Sequence, residues 1–270
     1  MAVPERVVIS GAGCCTALGH DLDSVARSLR EGRDAFRASG ALEGLSVCPA
    51  EDWGQDGARQ QFEGWRHRHY LNRGSRMAVL SGLRALRDAG LEAGLPVRSQ
   101  IIAAVGPMLD VTGEPGLPPQ DTATLGALWL LRWLPNTAAG ALARFARCHG
   151  EALTVNAACA SALQALGEGW RRIRFGLADA VLVAAGDSRL SLGGLLGYHK
   201  ARALSLCAPG TGPRPFDMGR DGFVPGEGGA AFVLESLSSA QARGAHVHAE
   251  ILGYGASVDA ESLTAPEARG

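Results

Sequence analysis

With 270 residues, 46% of them hydrophobic and 20% charged, the chain can bury a large core and has the composition of a soluble globular enzyme. A net charge of −1 supplies no positive field for nucleic acid. No apolar run reaches the roughly 18 residues of a membrane span. The opening MAVPERVVISGAG lacks the apolar block of a signal peptide, so a cytoplasmic protein is expected.

The elements alternate along the chain. Val7-Val8-Ile9 predicts a strand closed by a turn at Gly11-Ala12-Gly13, and Asp21 to Glu31 a helix that stops at Gly32. Ser39 to His69 reads as irregular. It carries WRHRHY, which is either a contact for an acidic partner or a solvated surface patch. Met77, Leu80, Leu83 and Leu86 are spaced for a helix over 75–89, and Ile101 to Val105 is a short buried strand. A Gly/Pro-rich loop over 106–119 precedes helices expected over 122–133 and 137–147. A strand over 153–156 then leads directly into a helix from Cys159 or Ala160 to Phe175. Strands follow at 180–184, 230–234 and 249–252. The alternation argues for an α/β fold with a mostly parallel sheet and helices on its faces.

The six cysteines, Cys14, Cys15, Cys48, Cys148, Cys159 and Cys207, show no CxxC spacing, so a structural metal site is not expected. Most should be small buried hydrophobes. Cys159 stands apart because LTVNAACASALQALGEGW places it where a strand becomes a helix. A thiol there meets the positive end of the helix dipole and unpaired backbone N–H groups, which favour thiolate. The same N–H groups can stabilise an oxyanion, and Ala157, Ala158, Ala160 and Ser161 leave room for a substrate. Taken by itself, a cysteine among alanines can equally be buried packing.

The wider sequence resembles the β-ketoacyl synthases. The segment from Thr154 to Gly167, centred on Ala158-Cys159-Ala160-Ser161, is similar to their active-site stretch. Arg202-Ala203-Leu204-Ser205 and Arg214-Pro215-Phe216-Asp217 match further motifs, as does the run RDGFVPGEG from Arg220 to Gly228. The opening VVISGAGCCTALGHDLDSVARSLREGR, Leu134-Pro135-Asn136 and residues 249–255 fall in the family's order. Thiolases share the fold and a strand–Cys–helix nucleophile but lack the second motif. Asp217, Arg220, Asp221 and Glu227, set among glycines, suit a tight loop of buried charge pairs that either supports the cysteine from behind or takes part in the chemistry directly.

The resemblance implies a thiolase-like fold, layered α/β/α/β/α, of which residues 1–255 form the N-terminal half. Residues 256–270 would open a truncated or absent C-terminal half. It implies that Cys159 takes an acyl group from the phosphopantetheine thioester of acyl carrier protein or coenzyme A, for decarboxylative condensation with a malonyl thioester in fatty-acid or polyketide biosynthesis. No bound cofactor is expected. The family's two histidines and lysine lie in its C-terminal half. None of His20, His67, His69, His149, His199, His246 or His248 stands in their context, nor does Lys200, the single lysine among 26 basic residues. Three readings stay open: one subunit of a split enzyme, a non-condensing acyl-transfer or scaffold subunit, or an inactive fragment. A homodimer through the strand near Thr154, or a heterodimer with a related subunit, is expected. Met108 and Leu109 either line the acyl pocket or are ordinary core.

Overall fold

The computed structural model describes residues 4–107, 126–206, 212–262 and 267. Its strands are β1 (Val7–Thr16), β2 (Arg37–Ala38), β3 (Ser46–Val47), β4 (Ser99–Val105), β5 (Ala152–Thr154), β6 (Ala180–Ser188), β7 (Glu227–Ser236) and β8 (Ala249–Ile251). The helices are α1 (Leu22–Arg30), α2 (Gly57–Glu63), α3 (Arg73–Asp88), α4 (Thr137–Phe145), α5 (Ser161–Arg174), α6 (Leu192–Lys200) and α7 (Leu237–Ala242). Six strands form the main sheet in the order β5-β4-β6-β7-β1-β8, while β2 and β3 pair separately.

The sheet is mixed rather than mostly parallel. β5–β4 and β4–β6 run parallel, but β6–β7, β7–β1 and β1–β8 run antiparallel. Alternating strand and helix suggested crossovers throughout. Between β6 and β7, however, the chain passes through α6 and a long excursion and returns in the opposite direction. Alternate residues face opposite ways, and this splits the core. Ile101, Ala103, Leu182 and Ala184 pack with α3 and α4, whereas Ile102, Ala104, Val181 and Val183 pack towards α5.

The predicted turn at Gly11–Gly13 is a continuous stretch of β1. Glycine is needed there for close approach, because α3 lies directly on it. A Cβ at Gly13 would stand 2.2 Å from the Ser81 carbonyl oxygen, and one at Gly11 2.3 Å from that of Ala85. α3 starts two residues earlier than expected, its N-terminus capped by Asn72, whose side chain accepts from the Ser75 amide at 2.8 Å. Its buried Arg84 donates to the Cys14 carbonyl at 2.7 Å and pairs with Asp56 at 2.8 Å, tying β1 to the cap of α2.

Three further expectations change. The region read as irregular contains α2, capped by Asp56, and β3, which pairs with β2 just before it. Residues 126–133 hold a 3₁₀ turn at Trp129–Arg132 instead of an α-helix, and 122–125 lie outside the described residues. α6 was hidden by its own glycines, Gly193, Gly194 and Gly197, which weaken helical propensity. Among the described residues no helix is long and apolar enough to cross a membrane.

Candidate active site

β5 ends at Thr154 and α5 begins at Ser161, and the link between them is a tight elbow. Ala158 takes the left-handed conformation, φ +50°, which a residue with a Cβ adopts only when its surroundings enforce it. The Ser161 hydroxyl provides the enforcement. It accepts from the Ala157 amide and donates to the Ala158 carbonyl, both at 2.7 Å. Cys159 follows in a one-turn 3₁₀ segment, Ala158–Ala160, that runs into α5. Its own amide N–H has no acceptor among the described residues.

The elbow presents Cys159 on the surface of a cavity of about 760 Å³, within the range of small-molecule sites. Alanines and glycines make up much of its wall, and Thr16, Asn156, Ser161, Asp187, Arg189, Tyr198 and Glu227 supply its polar groups besides Cys159 itself. The other described thiols are poorer candidates. Cys14 and Cys15 are buried, and burial pushes the Cys15 thiol up to about 11. Burial also raises Cys14, Cys48 and Cys148. Cys207 lies outside the described residues, as do Met108 and Leu109.

The four charged residues of the second motif separate. Glu227 is the buried one, its side chain 1% exposed, and it shares the cavity with Cys159. Its carboxylate accepts from the Ala50 amide at 3.0 Å, the Ser188 hydroxyl at 2.6 Å and the Arg73 guanidinium, whose Nε lies 2.6 Å away. Arg73 also donates to the Ala50 carbonyl at 3.0 Å and lies over the Trp53 ring at 5.1 Å. Asp217, Arg220 and Asp221 are exposed, so the expected buried charge pairing holds for Glu227 alone, and its partner comes from outside the motif. Asp217 caps its own turn by accepting from the Gly219 amide at 2.6 Å, and Arg220 donates to the Asp217 carbonyl at 2.9 Å. Asp221 accepts from the Ser205 hydroxyl at 2.9 Å and the Leu206 amide at 3.2 Å, which holds its carboxyl below the usual range. Backbone bonds Ser205→Phe223 (2.9 Å) and Phe223→Ala203 (3.0 Å) complete the join between the RALS and RDGF segments.

Sequence reasoning did not identify Arg73, Asp187, Ser188, Arg189 or Tyr198. Arg73 and Ser188 reach Glu227 across 154 and 39 positions, which no local spacing encodes. The described residues include no group of three or more potential metal ligands. The cavity's described lining has no histidine or lysine. Lys200 and His199 face a separate space of about 600 Å³ with Arg202 and Asp221, and His248 bonds to Asp88 at 2.6 Å.

Comparisons with known proteins agree with this geometry. The chain is 30% identical to a mitochondrial 3-oxoacyl-[acyl-carrier-protein] synthase of Schizosaccharomyces pombe and 27% to the 3-oxoacyl-[acyl-carrier-protein] synthase 2 of Vibrio cholerae. Each match covers 98% of this chain and 66% of the relative. It therefore spans just under two thirds of those relatives' length. A crystal structure of a β-ketoacyl synthase from Burkholderia phymatum superposes with a TM-score of 0.81 at 29% identity, over 98% of this chain and 67% of the other. The ishigamide ketosynthase/chain length factor gives 0.77 at 29% identity, over 96% and 65%. The expected thiolase-like α/β fold is the fold of these neighbours. Residues 4–240 match the profile of the β-ketoacyl synthase N-terminal domain, and the chain belongs to the β-ketoacyl synthase family.

Proposed function

We infer that this chain accepts an acyl group on Cys159 from a phosphopantetheine thioester, carried by acyl carrier protein or coenzyme A, as the first half of a decarboxylative condensation with a malonyl thioester. The observation that carries the reading is the exposed Cys159, held on a strained elbow at the start of α5 and facing a cavity of about 760 Å³. In the transfer, the Cys159 sulfur attacks the thioester carbonyl and forms a new C–S bond. The donor C–S bond breaks, and the proton from Cys159 leaves on the donor thiol. The oxyanion of the tetrahedral intermediate is stabilised by the Cys159 amide and the α5 N-terminus. Glu227, neutralised by Arg73, fixes the floor of the cavity.

The condensation step needs donors for an enolate oxygen, and histidine and lysine are absent from the described lining. On this reading those donors belong to the third of the relatives' length that has no counterpart among these 270 residues. The pathway is fatty-acid or polyketide biosynthesis, as the curated relatives' names and the ketosynthase neighbours support. An acidic carrier fits the surface around Arg76 and Arg132, where Arg68 is already paired with Glu63 at 3.0 Å. There burial and the neighbouring charges of Arg132, Arg68 and Arg73 lower the Arg76 guanidinium from its usual value. β5 is one of the two edges of the sheet, β8 being the other, and its outer side is unpaired among the described residues, which supports dimerisation through that strand. The five described cysteines are free, which suits a reducing cytoplasm. The test is the intact mass of the chain after incubation with acyl carrier substrate. Wild type gains one acyl mass and Cys159→Ala gains none, and equal labelling of the two overturns the reading.

A further inference from the structure

The cavity beside Cys159 carries two hydrogen-bond donors that nothing else in the described structure uses. Arg189 lies at the end of β6 with its side chain only 14% exposed, and two of its nitrogens fix the plane of the guanidinium. Nε donates to Asp187 at 2.9 Å and Nη1 to the Pro107 carbonyl at 2.8 Å. Nη2 has no acceptor among the described residues, and it lies against Gly106, where a Cβ would stand 2.0 Å from it. The absent side chain is what lets the guanidinium into the wall of the cavity. On α6, Tyr198 lines the same cavity, its ring held edge-on to Phe223 at 5.2 Å. Its hydroxyl has no partner among the described residues. The walls between are short: Ala104, Ala162, Ala185 and Ala230. Such a space takes a carbon chain, but a plain alkyl chain would strip water from both donors and return nothing to them.

We propose that Arg189 and Tyr198 read an oxygen on the acyl chain, so that Cys159 is loaded preferentially with acyl groups bearing a carbonyl or hydroxyl along their length. The inference rests on Cys159 as the acyl acceptor and names the substrate class of that same site. Asp187 and the Pro107 carbonyl hold the guanidinium in register. Discrimination comes from a fixed donor, which rejects a chain lacking the oxygen more strongly than an apolar wall rejects one that has it.

The test uses the full chain and two N-acetylcysteamine thioesters of equal carbon number, hexanoyl and 5-oxohexanoyl, with acylation rates at Cys159 read by mass spectrometry. Alkylation of Cys159 by iodoacetamide in each variant reports that the thiol remains accessible. The expected 5-oxohexanoyl to hexanoyl rate ratio in wild type is about tenfold above that of the R189M/Y198F double variant, the worth of one net hydrogen bond. Y198F alone, which removes a single oxygen, lowers the ratio about threefold on the same scale, and this keeps the question answerable if R189M fails to fold. Acylation with a ratio that neither variant changes overturns the role of Arg189 and Tyr198 and leaves Cys159 as the acceptor. No acylation by either thioester, with iodoacetamide still reacting at Cys159, overturns the acceptor reading and this inference with it.

Discussion

Replacing Arg73 by Met isolates the buried carboxylate beneath the cavity. Glu227 is almost fully buried, and Arg73 supplies its only ion pair among the described residues, through Nε at 2.6 Å and through Nη2. The variant leaves that carboxylate with the Ala50 amide and the Ser188 hydroxyl. Charge-assisted hydrogen bonds contribute about 1.5–3 kcal/mol each, and breaking a buried pair from one side costs about 3–5 kcal/mol. Arg73 itself is half exposed, so water screens part of the attraction and the lower end applies, about 3 kcal/mol. For a domain of this size that is a fall of about 6–12 °C in Tm, read by differential scanning calorimetry. A double variant, R73M/E227M, removes both charges and should recover much of the loss, because no orphaned carboxylate remains. R73M within 2 °C of wild type, or a double variant with strictly additive losses, would refute the account of Glu227 as a carboxylate held by Arg73.

Iodoacetamide at neutral pH should modify Cys159 well before Cys14, Cys15, Cys48 or Cys148, whose thiols burial pushes up; peptide mapping at partial modification reads the order. Gly13→Ala drives a Cβ to 2.2 Å from the Ser81 carbonyl and should destabilise by about 2–4 kcal/mol in urea unfolding, from overpacking against rigid backbone. Gly140→Ala in α4 meets nothing within 4 Å and should stabilise by about 0.5–1 kcal/mol. The Asp221 carboxyl is held below its usual value by the Ser205 hydroxyl and the Leu206 amide, so its contribution is present above the unfolded carboxylate range. That contribution is lost as pH falls through the depressed folded value. Amide exchange at Leu206 should accelerate on acidification in wild type, whereas Asp221→Asn should flatten that pH dependence.

The position of Cys159 at a strand-to-helix elbow was legible because two local signals coincide there. The β-branched run ending near Val155 stops, the helical pattern of α5 begins, and small residues surround the thiol. The core was legible for a similar reason, since alternate residues of β4 and β6 carry the apolar faces themselves. Strand direction was not, because antiparallel β7 and parallel β4 look alike in local composition. Gly11 and Gly13 were misread because glycine serves both turns and close approach, and only the position of α3 decides between them. In the RDGFVPGEG motif the charges look equivalent in sequence, yet only Glu227 lies within β7, under the sheet's cover. The polar lining from Arg189 and Tyr198, and the pairing of Arg73 with Glu227, are assembled by tertiary packing and leave no trace in spacing.

The most direct measurement is tandem mass spectrometry of the chain after exposure to an acyl-phosphopantetheine donor, with the acyl increment located to a single residue. The account predicts the whole increment on Cys159, as a thioester that neutral hydroxylamine removes. An increment on any other residue, or none on a chain whose Cys159 still reacts with iodoacetamide, would contradict it.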